Sequence, residues 1–100
     1  METTIETGEK LLLIEGDFLT EEARDILLNL FQSKLSFHQL KNFSSQVKYG
    51  RDDETATLRI PALKKELDKL NALLKEAENK HKKLHICSEI RIRISEENQD

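Results

Sequence analysis

Tryptophan is missing from this 100-residue chain, and cysteine, proline, tyrosine and methionine occur once each. With Cys87 alone, no disulfide can form within the chain, whereas a secreted domain of this size commonly relies on several. No apolar run approaches the length needed to cross a bilayer; the longest, Leu11–Ile14, has four residues. The opening residues Met1 to Glu6 lack the basic and apolar stretches of a secretory signal. A cytoplasmic protein without membrane partners is the resulting expectation. The three glycines, Gly8, Gly16 and Gly50, are too scattered to form a phosphate-cradling loop.

Charged residues make up 35% of the chain and hydrophobic residues 37%, a balance that suits one small folded domain with a well-solvated surface. The formal net charge of −3 gives no global attraction to nucleic acid or to an anionic membrane. A single domain over residues 1–100 is expected, with tails at 1–9 and 95–100 too polar to order themselves.

Lys10 to Glu15, holding Leu11–Ile14, reads as a first strand, because an apolar run without alternation suits a central position in a sheet. Thr20 offers a hydroxyl to cap a helix, and Glu21 and Glu22 place negative charge in its first turn. Ala23, Ile26, Leu27, Leu30 and Phe31 then form one apolar stripe, which predicts a helix over Glu21–Ser33. Between Leu35 and Arg51, Phe43, Ser45, Val47 and Tyr49 alternate with a period of two, which predicts at least one strand, with 50–53 as the turn that follows.

The next segment has two readings. Ala56, Ile60, Leu63, Leu67, Leu70, Leu74 and Ala77 form a heptad seam that keeps its phase across Pro61, which favours one helix from about Asp53 to His81. Alternatively Thr55–Ile60 is a strand and Pro61 opens a shorter helix, a first-turn position that proline tolerates well. The unbroken phase tips the balance to the continuous helix. Leu84–Ile94 is the clearest strand: Leu84, Ile86, Ser88, Ile90, Ile92 and Ile94 share one face, and His85, Cys87, Glu89, Arg91 and Arg93 the other. Ile26, Leu30, Leu67, Leu70, Ile90 and Ile92 are the expected core.

These elements predict an α/β (α+β) two-layer sandwich, a three- to four-stranded sheet with two helices on one face. Two middle strands would make it the ferredoxin-like βαββαβ arrangement.

No constellation of residues points to catalysis. His81, His85 and Cys87 lie close together, but a structural zinc site takes four ligands and no second cysteine exists. His85 and Cys87, two apart on a strand, sit too far from each other for a nucleophile and its base. Asp52, Asp53 and Glu54 suit a turn and a helix start better than acid–base chemistry. No catalytic residue, metal site or cofactor is therefore assigned.

Charge segregation is the most unusual feature. No acidic residue occurs from Ile26 to Arg51, where Lys34, Lys41, Lys48 and Arg51 interleave with Phe31, Phe37, Phe43 and Tyr49. Cations among exposed aromatics grip single-stranded nucleic acid by phosphate contact and base stacking, which makes Phe37, His38, Lys41, Phe43, Lys48, Tyr49 and Arg51 candidate contacts. The competing explanation has the phenylalanines in the core and the lysines in water. A non-enzymatic protein acting through another protein or through a second copy of itself is the leading expectation. Its candidate dimer contacts are Leu63, Leu70 and Leu74 on the seam and Ile92 on the last strand.

Overall fold

From Thr20 to Tyr49 the chain contains neither glycine nor proline, and in the computed structural model, which describes residues 8–96, this whole stretch is one helix, α1 (Thr20–Tyr49). It begins one residue earlier than a Thr20 cap would place it. Leu19 holds the cap position, and its backbone N–H donates to the Glu22 carboxylate at 3.0 Å. The helix ends at Gly50, whose φ of 68° is left-handed and suits a residue without a side chain. The Gly50 N–H donates to the Gln46 carbonyl at 2.9 Å.

The strand expected within Leu35–Arg51 is therefore corrected to helix. Nothing at Ser33 or Lys34 stops α1, and a three-four spacing underlies the local alternation: Phe31, Leu35, His38, Asn42 and Ser45 are all buried or half-buried. Four residues of period two cannot outweigh a face that repeats over four turns and packs against a neighbour.

That neighbour is α2 (Glu54–Asn79). Asp53 caps it, its carboxylate accepting from the Ala56 N–H at 2.9 Å. The turn between the helices is tied to the end of α1 by three side chains. Asn42 accepts from the Asp53 N–H at 2.8 Å, Ser45 donates to the Arg51 carbonyl at 2.8 Å, and the Gln46 amide donates to Asp52 at 2.7 Å. The continuous-helix reading holds across Pro61, which lies inside α2 on an exposed position. Ala56, Leu63, Leu70, Leu74 and Ala77 are buried and Ile60 and Leu67 half-buried, so every seam residue turns inward. Beyond Asn79 the His81 N–H donates to the Glu78 carbonyl and the Lys82 N–H to that of Ala77, with His81 in the left-handed region at φ 55°. This double bond pattern closes the helix with a histidine where glycine is usual.

Outside this helical hairpin the chain forms a two-stranded antiparallel ribbon, β1 (Gly8–Phe18) with β2 (Leu84–Arg93). Both strands fall where the apolar run and the alternation predict them, β1 being longer at each end. The sheet has two strands among the described residues, not three or four. The ferredoxin-like order fails because its middle strands are the second half of α1 and the first turns of α2. The mixed α and β class stands. The chain divides into two compact units, the ribbon (residues 8–17 and 85–96) and the hairpin (Phe18–Leu84). The tails expected at 1–9 and 95–100 lie mostly outside the described residues; Gly8 and Glu9 belong to β1, and residues 95 and 96 carry no regular structure.

The core is smaller than expected. Leu70 is buried and Ile26 and Leu67 half-buried, whereas Leu30, Ile90 and Ile92 are exposed, at 41%, 41% and 50% respectively. Leu30 lies off the face that α1 turns to α2. Ile90 and Ile92 lie in the half of the ribbon where burial ends, beyond Ile86, the one buried ribbon residue among those described. No helix among the described residues is long and apolar enough to cross a membrane.

Candidate interaction surfaces

The ribbon changes character along its length. In β1 every residue from Gly8 to Leu13 is exposed, and in β2 every residue from Glu89 to Arg93. Leu11, Leu12, Leu13, Ile90 and Ile92 all lie in this outer half, at 41–62% exposure. Side chains alternate faces along a strand. Leu12, Ile90 and Ile92 thus form one apolar patch, and Leu11 and Leu13 lie on the opposite face with Arg91 and Arg93. A two-stranded sheet also leaves one unpaired backbone edge on each strand. Of the expected dimer contacts, Ile92 is in this exposed region. Leu63, Leu70 and Leu74 are not at the surface: they are buried on the α2 seam against α1, 1–8% exposed, and the hairpin itself uses them.

The inner half of the ribbon gathers a polar cluster that spacing alone did not reveal. His85 of β2 lies between two carboxylates of β1, with Nδ1 2.9 Å from Asp17 Oδ1 and Nε2 3.5 Å from Glu15 Oε2. The neighbouring Cys87 Sγ lies 3.5 Å from Glu15 Oε1. Strand pairing creates the cluster, since about seventy residues separate the partners in sequence. The hydrogen bond and the negative charge of Glu15, with a contribution from Glu89, push the Cys87 thiol above its ordinary range. A thiol held in its protonated form is a poor nucleophile and a poor metal ligand. Among the described residues no group of three or more histidine, cysteine, aspartate or glutamate side chains is placed to hold a metal ion. His81 has a structural place, as the left-handed residue that ends α2.

The basic aromatic segment lies entirely on α1 and the turn after it. Phe37, Phe43 and Tyr49 are exposed at 52%, 64% and 69%, and Lys41, Lys48 and Arg51 are exposed with them. His38 is different: it is 4% exposed, faces inward, and neither ring nitrogen has a hydrogen-bond partner. The seven candidate contacts therefore do not form one surface. Lys34 and Lys41 approach the Phe37 ring with their ammonium groups 5.1 and 5.9 Å from its centre.

Residues beyond the candidates complete this face. Leu30 and Leu40 are exposed, Leu40 at 69%, and so is Val47. Leu30, Ser33, Phe37, Leu40, Ser44 and Val47 alternate in steps of three and four, a signal present in the sequence but visible only when 35–49 is read as helix. No family model, no curated protein and no solved structure matches this chain.

Proposed function

We propose that the protein is a non-enzymatic binding protein of the cytoplasm that self-associates through the outer half of its β-ribbon. The observation that carries this reading is the exposure of five large aliphatic residues, Leu11, Leu12, Leu13, Ile90 and Ile92, on a ribbon with two open edges. An isolated pair of strands is marginal in water, and natural proteins seldom leave long apolar edges unprotected. A second ribbon satisfies both needs at once. It pairs the backbone across a twofold axis, the commonest symmetry of soluble oligomers, and covers the apolar patch with its own copy. Arg91 and Arg93 share the other face with Leu11 and Leu13, and their charges keep that face more polar than the Leu12, Ile90 and Ile92 side.

Sedimentation equilibrium at micromolar concentration tests the proposal. A dimer is expected, and Ile92→Lys should dissociate it while the helical circular dichroism of the hairpin is retained. A concentration-independent mass near 11.6 kDa would refute self-association.

A further inference from the structure

The outer face of α1 forms a second seam that α2 does not cover. With Leu30 taken as position a of a heptad, Leu30, Phe37 and Ser44 occupy a, and Ser33, Leu40 and Val47 occupy d. This seam runs along the side of α1 away from Leu35 and His38, the residues buried against α2. Leu30, Phe37, Leu40 and Val47 are 41–69% exposed on it. The flanks of the seam are unlike each other. Lys34, Lys41 and Lys48 all fall at e, one per heptad, while the g column holds Asn29, Ser36 and Phe43 and no charge. No carboxylate on α1 beyond Asp25 neutralises the lysines.

We propose that this face docks an acidic amphipathic helix of another protein, whose apolar residues enter the Leu30–Val47 seam and whose glutamate or aspartate column lies along Lys34, Lys41 and Lys48. Charge complementarity identifies the occupant. Two copies of α1 packed antiparallel would set lysine column against lysine column, and packed parallel would set it against Asn29, Ser36 and Phe43, which offer no counter-charge. The α2 helix of a second copy is no better suited. Its outward positions carry Lys65, Lys69 and Glu76 in mixed sign, and its exposed leucines, Leu58 and Leu73, stand far apart. A lipid surface would favour cations on both borders of the apolar stripe, and only one border has them. Ser33 and Ser44, small residues in the seam, leave room for larger side chains of the incoming helix. The proposal stands apart from ribbon-mediated self-association, since it concerns a different unit of the chain.

The test uses the full chain and its Ile92→Lys variant against two synthetic peptides of about four heptads, long enough to hold a helix. Both carry leucine at their seam; one has glutamate and the other lysine in the flanking columns. The glutamate peptide should bind to both forms of the protein, and the lysine peptide at least about tenfold more weakly. Phe37→Gln with Leu40→Gln should abolish binding and leave the helical circular dichroism intact, because both side chains are exposed. Lys41→Glu with Lys48→Glu should reverse the preference between the peptides. Equal binding of the two peptides, or binding of neither, would overturn the proposal. So would tighter binding of phosphatidylserine vesicles, or of mixed-sequence single-stranded RNA, than of the glutamate peptide.

Discussion

His38 sits where α1 meets α2, fully enclosed, with both imidazole nitrogens unpaired. A buried polar group without a partner costs about 1–3 kcal/mol relative to its hydrated state. His38→Leu, which fills similar space without polar atoms, should therefore raise the unfolding free energy by about 1–3 kcal/mol in urea titrations. A loss of stability would mean that the ring has a partner in solution. Cys87 responds to a different neighbour. The Glu15 carboxylate keeps its thiol protonated to higher pH, so less thiolate is present at any given pH than for a free cysteine. Glu15→Gln removes the negative charge, and alkylation of Cys87 by iodoacetamide near pH 8 should become faster. An unchanged rate would show that Glu15 does not control the thiol. His81 shows how a residue type can mislead: it resembles a ligand beside His85 and Cys87, yet its place is a left-handed turn that histidine enters more readily than most residues do.

Among the elements, α2 was the most legible. Its seven seam residues predict both the helix and its inward face, and the phase across Pro61 outweighs the proline. Pro61 deprives the Thr57 carbonyl of its helical donor, but the side chain is exposed and the seam on either side stays packed. Truncations distinguish the faces of the hairpin. Leu70→Ala should cost about 2–5 kcal/mol, because the side chain is buried between the helices, whereas Leu30→Ala should cost under about 1 kcal/mol. Equal costs would show that the packed face is misassigned. The second half of α1 was not legible, for a physical reason. Apolar residues lie on two sides of it, one toward α2 and one toward solvent, and two opposed stripes blur a helical period into something close to alternation. The sequence of β2 shows its strand and its two faces clearly. How much of a face is buried depends on what covers it, so Ile90 and Ile92 looked like core and are exposed. The cluster of Glu15, Asp17, His85 and Cys87 was beyond reach, since nothing local indicates that β1 pairs with β2.

For the whole molecule, the proposed self-association would tie stability to concentration. If the ribbon is completed by a second copy, the thermal midpoint should rise with protein concentration, and Ile92→Lys should remove that dependence. The order of the elements adds a kinetic consequence. The helices meet through a short turn, with Asn42 bonding Asp53 only eleven residues away, while Glu15 and Cys87 are separated by 72. The Arg24–Glu78 ion pair, at 3.7 Å, spans the open end of the hairpin. Once the helices have zipped, the stretch still to be closed between Glu15 and Cys87 is about a quarter of its original length, which lowers the entropic cost of pairing the strands by about 1.2 kcal/mol. The hairpin is thus the template and the ribbon the late arrival. Until β2 leaves the ribosome, β1 waits without its partner, and when two nascent chains are close together the β2 that reaches it first can belong to the neighbour. Exchange of β2 between copies is therefore a second route to the proposed self-association, one that needs no contact beyond those already within one chain.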